Sequence, residues 1–146
     1  MPNRPGVIGA VSGEEAEIVS KVCIVLTSGS REKLQFAAMM ASVAAVSTYD
    51  VTVFISMNAL PYFVEGDTAP APAEGEMGKL IEEKNAPEFL DLLEQAVELG
   101  EAKIHPCSMA VDILGVSEDE LKPFLAEPMG LTKFLSLAEG GQCWSF

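Results

Sequence analysis

Apolar positions along the chain fall into short continuous runs separated by stretches of helical period. Lys21 to Leu26 (KVCIVL) and Val51 to Met57 (VTVFISM) are nearly unbroken apolar runs, which are typical of strands buried on both faces of a parallel sheet. Ala102 to His105 (AKIH) and the segment QCWSF at residues 142–146 predict two further short strands. The runs therefore predict four strands of one sheet that are not consecutive in the chain but are separated by longer connecting segments.

Helical patterns occupy the intervals between these strands. Leu34 to Asp50 is rich in Ala and Met and predicts a helix that is apolar on most sides, with Ser30 placed to cap its first turn. Ala86 to Gly100 is clearly amphipathic, and Leu131 to Glu139 predicts a last helix. Because strands and helices alternate, we expect an α/β three-layer sandwich with a mostly parallel, helix-flanked sheet.

Two stretches have no regular period. Residues 1–19 contain Pro and Gly and then acidic residues, which predicts a flexible N-terminal arm before a single domain over residues 20–146. Residues 58–78 are expected to be loop, and the Ala/Pro alternation within residues 67–78 favours an extended backbone there. A connection of this length is typically a lid, a binding segment or disordered.

Composition and charge narrow the classes of partner. The chain has 146 residues, 49% of them hydrophobic, and a formal net charge of -13. Such a surface repels phosphate backbones and anionic lipid heads, so nucleic acids and membranes are excluded as expected partners. No apolar run is long enough for a spanning helix and the N-terminus does not fit a secretory signal, so we expect a cytoplasmic protein.

Three cysteines are the main carriers of candidate chemistry. In the cytoplasm Cys23, Cys107 and Cys143 would be reduced thiols, and their spacing indicates neither a disulfide framework nor a metal site. We expect no metal and no cofactor. Cys23, inside a strand, and Cys143, beside Trp144, are interpreted as packing residues.

Cys107 differs because it follows a strand directly. Ligands of open parallel sheets bind beyond the carboxyl ends of the strands, and Pro106 predicts a sharp exit of the chain there. If a helical turn begins after Cys107, its free backbone N–H groups favour the thiolate, which is the nucleophilic form. His105 lies two residues earlier and would face the same side, either as a proton relay or in a local hydrogen bond.

The loop after the first strand contains Ser28, Gly29 and Ser30. A Gly/Ser turn at this end of a sheet resembles an anion-binding loop, but the signal is weak because it has the spacing of neither a P-loop nor a dinucleotide fingerprint.

The segment KIHPCSMAVDILGVSEDEL resembles the DsrE/DsrF-like family of sulfur-relay proteins. The resemblance rests on a strand that leads into Cys107-x-Met109, on Asp112 three residues further, and on Gly115 before an acidic helix start. KVCIVLTSGSREKLQFAAMMA and FLSLAEGGQCWSF resemble the first strand–loop–helix and the last helix–strand of the family. Together these segments cover most of the chain from residue 20.

The resemblance implies a compact parallel α/β fold, association into homo-oligomers, and a cysteine that carries persulfide sulfur. Carried over to this chain, that cysteine is Cys107. The implied partners are sulfur donor and acceptor proteins or small persulfides.

Two functional hypotheses follow. In the first, Cys107 takes up sulfane sulfur and passes it to an acceptor thiol. In the second, the protein is a non-enzymatic ligand-binding or regulatory oligomer, with Cys107 as a wall of the crevice and Ser28 and Ser30 holding an anionic group. A thiol peroxidase is disfavoured, because no cysteine is convincingly placed to resolve a sulfenic acid and no Arg adjoins Cys107.

Overall fold

The computed structural model describes residues 19–67 and 69–146. The predicted arm over residues 1–19 therefore lies, apart from Val19, outside the described residues. Four strands form one sheet in the order β3-β2-β1-β4, and every neighbouring pair is parallel. The strands are β1 (Lys21–Leu26), β2 (Asp50–Ile55), β3 (Lys103–Pro106) and β4 (Gln142–Ser145).

Helices connect and flank the strands, which confirms the predicted α/β class. The α-helices are α1 (Arg31–Val46), α2 (Glu76–Glu83), α3 (Phe89–Gly100), α4 (Ser108–Leu114) and α5 (Leu131–Ala138). Two 3-10 helices cover Met57–Phe63 and Glu118–Glu120. No helix in the described ranges combines the length and apolarity that crossing a bilayer requires.

The core lies on both faces of the central strands. Every residue from Val51 to Ile55 in β2 is buried, and alternate residues of a strand point to opposite faces, so both faces are covered. On one face Phe134 of α5 stacks on Phe54, with 4.8 Å between ring centroids. The other long helices, α1 and α3, pack on each other, and α1 also contacts β1 and β2.

The start of α1 is as the sequence predicts. Ser30 is its N-cap, and its side-chain oxygen accepts a hydrogen bond from the backbone N–H of Lys33 at 3.4 Å. Such a cap satisfies one of the N–H groups that a helix leaves free in its first turn. The helix ends at Val46, four residues before the predicted end at Asp50.

The prediction of an unbroken loop over residues 58–78 is wrong at both ends. The first part forms the 3-10 helix Met57–Phe63, because Ala59, Leu60 and Phe63 are buried in the core and hold the turn in place. The three positions have helical spacing, but the segment is only seven residues long and contains Pro61, so the sequence shows too few repeats to predict a helix there.

The last part of the same stretch begins helix α2, and its start depends on a distant residue. The carboxylate of Glu32 in α1 accepts the backbone N–H groups of Glu74, Gly75 and Gly78 at 2.8, 2.7 and 3.0 Å. These hydrogen bonds, with the one from Glu74 as the largest cause, lower the pKa of the Glu32 carboxyl. A cap supplied from another helix leaves no local signal in the sequence.

Ser117 and Glu120 form a capping box, but the helix that follows is short. The Glu120 carboxylate accepts the backbone N–H of Ser117 at 2.7 Å, as a capping box requires. The helix covers only Glu118–Glu120. It ends because Lys122 precedes Pro123, and the residue before a proline disfavours helical geometry.

Candidate functional site

The loops after β1, β2 and β3 meet at the carboxyl end of the sheet. A Cβ at Gly29 would lie 2.8 Å from the backbone oxygen of Asn58, so the first loop rests directly on the second. The third loop is tied to β2, because the backbone N–H of Cys107 donates to the carbonyl of Ile55 at 2.7 Å. The sequence-predicted Cys107 and Gly/Ser loop therefore lie at one end of the molecule.

Cys107 sits at the junction of β3 and α4. It is the N-cap residue of α4 with an extended backbone, and its carbonyl accepts the N–H of Val111 at 3.0 Å. Both backbone groups of Cys107 are thus fixed by neighbouring elements. The residue is 5% exposed, so its sulfur lies almost entirely below the surface.

A covering segment, residues 126–129, closes the outer edge of β3. Ala126 donates its backbone N–H to Ile104 at 2.8 Å, and Met129 donates to Pro106 at 2.9 Å. Met129 also forms an isolated parallel bridge with Cys107. The burial of Cys107 therefore depends on a segment about 20 residues away in the chain, and nothing near Cys107 in the sequence indicates it.

His105 holds this covering segment. Its ring is buried, and Nδ1 lies 2.8 Å from the backbone oxygen of Glu127. Because a carbonyl oxygen only accepts, Nδ1 carries the proton in this bond. The ring also lines an open groove together with Val97 and Phe124. A relay role for His105 stays a prediction, while its bond to Glu127 agrees with the alternative of a local hydrogen bond.

The covering segment also carries a perturbed carboxyl group. The pKa of the exposed Glu127 side chain is lowered, chiefly because its own backbone N–H donates to it and then because His105 is nearby. His105 and Glu127 therefore interact through both the backbone and the side chain.

The predicted anion loop already binds a carboxylate of the chain itself. The Ser30 hydroxyl donates to Oε1 of Glu74 at 2.5 Å, and its backbone N–H donates to the hydroxyl oxygen of Ser28 at 3.1 Å. Lys33 forms an ion pair with Glu74 at 3.2 Å. The bond from Ser30, followed by the one from Lys33, lowers the pKa of the Glu74 carboxyl. Binding of an external anion by this loop stays a prediction.

The other two cysteines lie side by side in the sheet. Cys23 in β1 is fully buried, as predicted for a packing residue. Cys143 in β4 is exposed, so its predicted packing role is wrong. The register pairs Cys23 directly with Cys143, a proximity that depends on strand order and that the spacing in the sequence does not indicate.

A large cavity lies beside the start of α1. It has a volume of about 700 Å³ and is lined by residues of α1, α2 and the first 3-10 helix, by residues 67 and 69–71, and by the segment leading into α3 together with its first turn. Arg31, Gln35, Tyr62 and Phe89 are among the lining residues, whereas Cys107 and the loop of Ser28 to Ser30 are not.

The fold and this cysteine define a class of protein: a parallel α/β domain with a thiol at the carboxyl end of an outer strand. The chain belongs to the DsrE/DsrF/DrsH-like family, whose sequence profile matches residues 71–144. This range contains β3, Cys107, the covering segment and the first three residues of β4. At the level of the family, membership indicates a role in sulfur relay.

Solved structures support the same fold. The YchN protein of E. coli superimposes with a TM-score of 0.63 at 16% sequence identity, covering 88% of this chain and 100% of YchN. MTH1491 of Methanobacterium thermoautotrophicum, a protein of unknown function, gives a TM-score of 0.57 at 11% identity, with 88% and 100% coverage. No curated protein matches the sequence. At these identities the likeness concerns the fold alone.

Proposed function

We propose that the protein is a sulfur carrier in which Cys107 cycles between thiol and persulfide. The Cys107 thiolate attacks the outer sulfur of a donor persulfide, R–S–SH, forming Cys107–S–SH and releasing the donor thiolate R–S⁻. An acceptor thiolate then attacks the same outer sulfur, which leaves an acceptor persulfide and regenerates the Cys107 thiolate. Each step breaks one S–S bond and forms another, so no external oxidant is needed.

The position of Cys107 at the end of β3 carries this proposal. It lies inside the segment that matches the sulfur-relay family, and hydrogen bonds to Ile55 and Val111 fix its backbone. A fixed backbone holds the thiol at a constant place relative to the three loops. Carrier chemistry requires little beyond such a positioned thiolate, because in each step the outer sulfur passes directly from one thiol sulfur to another.

Access to the sulfur requires local movement. Because Cys107 is 5% exposed, a donor reaches it fully only when the covering segment or α4 opens. The covering segment is held by the backbone bonds of Ala126 and Met129 and by the ring of His105. We therefore assign His105 as a positioning residue that controls opening, and proton relay during transfer is its further proposed role.

Persulfidation tests the proposal directly. The reduced chain is incubated with inorganic polysulfide, alkylated and digested, and the Cys107 peptide is examined by mass spectrometry for one added sulfur atom. Because the exposed Cys143 can also take up sulfur, the matched comparison is made without it: we expect one added sulfur atom on the intact Cys143→Ser chain and none on Cys107→Ser/Cys143→Ser.

A transfer assay then completes the test. The isolated persulfidated chain should lose its added sulfur to a small thiol such as dithiothreitol, with release of hydrogen sulfide. Added sulfur that is unchanged in Cys107→Ser/Cys143→Ser, or that stays on Cys107 with excess thiol, would contradict the carrier function.

The second hypothesis, a ligand-binding module, is favoured by the cavity of about 700 Å³ beside α1. Its volume is in the range of small-molecule sites, and Tyr62 and Phe89 supply aromatic surface next to the polar groups of Arg31 and Gln35. In this form the hypothesis places the ligand away from Cys107.

Native mass spectrometry separates the two functions. A ligand that co-purifies with the original chain and is lost in Gln35→Ala, but retained in Cys107→Ser, would support the binding module. An original chain that carries no adduct, and whose melting temperature is equal to that of a dialysed sample, would contradict it.

We propose that the protein forms homo-oligomers in the cytoplasm, where its thiols stay reduced. Phe36, Met39, Val43 and Val46 recur every three or four residues on α1 and are all exposed, so they form an apolar strip on one side of the helix. Light scattering should give a mass above 15.5 kDa, with a lower mass for Val43→Glu than for the control Lys84→Glu. A monomer at high concentration would contradict this proposal.

A further inference from the structure

Two cysteines outside the proposed carrier site lie next to each other on adjacent strands of the sheet. Cys23 of β1 and Cys143 of β4 are register partners in a parallel pair of strands. Side chains of register partners point to the same face, and neighbouring strands are about 4.8 Å apart. Disulfides join cysteines whose Cα atoms are about 4.4–6.8 Å apart, so this pair lies within bridging range.

The two thiols differ strongly in accessibility. Cys23 is 0% exposed, whereas Cys143 is exposed on a strand whose four residues are all exposed. A reagent from solution therefore meets Cys143 first. Cys23 is reached by way of the neighbouring sulfur.

In a thiol–disulfide exchange, the environment of Cys23 disfavours it as the first nucleophile but allows it to attack a disulfide that has formed on the neighbouring cysteine. Burial, and then the neighbouring Cys143, raise the pKa of the Cys23 thiol. A thiol that is protonated at neutral pH is a poor first nucleophile. It can still react when a disulfide is held beside it, since the departing thiolate is available to take its proton.

We propose that Cys143 and Cys23 form a second thiol site, which exchanges with low-molecular-weight disulfides of the type R–S–S–R. The Cys143 thiolate attacks R–S–S–R, forms the mixed disulfide Cys143–S–S–R and releases R–S⁻. Cys23 then attacks the Cys143 sulfur, forming the Cys23–Cys143 disulfide and releasing the second R–S⁻, which takes the Cys23 proton. The protein loses two electrons, and one R–S–S–R is reduced to two thiols.

The geometry also indicates that this bond is reducible. A disulfide brings the Cβ atoms to about 3.5–4.5 Å, which is closer than the spacing of parallel strands. Closure therefore requires β4 to move towards β1. This movement is feasible because β4 is an outer strand of four residues with β1 as its neighbour in the sheet. Strained disulfides have more oxidising potentials, so we expect an exchanging bond rather than a permanent cross-link.

This site is separate from Cys107. The strand order β3-β2-β1-β4 puts the end of β3 and the pair on β1 and β4 on opposite halves of the sheet. The inference therefore does not depend on the sulfur-carrier function, and Cys107 can be replaced without removing the proposed pair.

Oxidised glutathione is the probe for the test. The full-length Cys107→Ser chain is reduced, desalted, incubated with oxidised glutathione at neutral pH, and analysed by intact mass and by non-reducing peptide mapping. We expect a mass decrease of two hydrogen atoms, a cross-linked peptide containing Cys23 and Cys143, and little glutathione adduct.

Variants of the pair provide the controls. Cys107→Ser/Cys23→Ala, checked for folding by circular dichroism, should accumulate the glutathione adduct on Cys143, while Cys107→Ser/Cys143→Ser should give neither the adduct nor the cross-link. A stable adduct on Cys143 in Cys107→Ser with Cys23 still free, a disulfide between the Cys143 residues of two chains, or an absence of reaction would each overturn the proposal. Peptide mapping of Cys107→Ser distinguishes these outcomes even if the Cys23 variant does not fold.

Discussion

The two outer strands of the sheet present two different edges. The edge of β3 is closed by residues 126–129, and the cysteine at its end, Cys107, is 5% exposed. No segment within residues 19–67 or 69–146 covers the edge of β4, called here the open edge, and Cys143 within it is exposed. Strand length does not explain the difference in exposure between the two cysteines, because β3 and β4 are both short strands of four residues. Among the described residues, the difference in exposure arises from the covering segment, which lies on the edge of β3.

This contrast separates two kinds of cysteine chemistry. A thiol behind a covering segment reacts in proportion to the population of the open form, and a partner that stabilises the open form therefore reacts with it preferentially. An exposed thiol reacts with whatever small reagent is present. In the proposed functions, Cys107 therefore exchanges sulfur with chosen partners, and Cys143 exchanges with small disulfides.

Removal of the aromatic support under the closed edge should have the largest effect. Phe54 is buried, stacks on Phe134 and is the register partner of His105. Phe54→Ala should lower the free energy of unfolding by about 3–5 kcal/mol, measured by urea denaturation. Trp144→Ala, at the open edge and 47% exposed before substitution, should cost about 1 kcal/mol. Equal losses would show that the two edges depend on the core to the same extent.

Alkylation rates should differ between the edges. With iodoacetamide under native conditions, Cys143 should react about 10- to 100-fold faster than Cys107, which corresponds to an opening free energy of about 1.4–2.8 kcal/mol. Peptide mass spectrometry measures both rates in one sample. Met129→Ala, which removes the side chain beside Cys107, should raise the rate at Cys107 and leave that at Cys143 unchanged. Similar rates at both cysteines in the original chain would contradict the closed edge.

Loss of the His105 ring should loosen the covering segment. His105→Leu removes the hydrogen bond to the Glu127 carbonyl and should lower the free energy of unfolding by about 1 kcal/mol. Hydrogen exchange at the amides of Ala126 and Met129 should become faster, and His105→Gln, which keeps an N–H donor, should restore part of the protection. Unchanged exchange at these amides in His105→Leu would exclude the positioning role.

Acid should weaken the same edge slightly. Because the pKa of Glu127 is lower in the folded chain, its stabilising effect is present above the pKa of an unfolded Glu, about 4.3, and is lost as pH falls through the lower folded value. Glu127→Gln should therefore flatten the fall of stability with acid below about pH 4.3, in thermal melts across that range. Glu139→Gln, near the open edge, is the matched charge control, and an equal flattening in both variants would contradict the assignment.

The elements that the sequence predicts well are those with local causes. KVCIVL at residues 21–26 is continuous and β-branched and forms β1 with the predicted bounds. Ser30 caps α1 because its partner, Lys33, is three residues away. The family resemblance around Cys107 is confirmed by the profile match, although it says nothing of how deeply that residue is buried.

The features that the sequence does not predict depend on hydrogen-bond or strand partners that are far away in the chain. Helix α2 starts where Glu32 accepts N–H groups more than 40 residues ahead, and no periodicity in residues 67–78 reports it. The covering segment over Cys107 and the pairing of Cys23 with Cys143 likewise depend on tertiary position and strand order. Local patterns predict which residues can form a strand, but not which strand will lie next to it.

The order of the strands also has a consequence for biosynthesis. On the ribosome, β1, β2 and β3 emerge one after another and can pair as they appear, but the last neighbour of β1 is β4, at residues 142–145. Until translation reaches those residues, the nascent chain presents one side of an apolar strand with free amide and carbonyl groups, to which a neighbouring nascent chain can attach. Slow translation beyond residue 106, or truncation before residue 142, should therefore yield aggregates, even though β1, β2 and β3 are already available to pair.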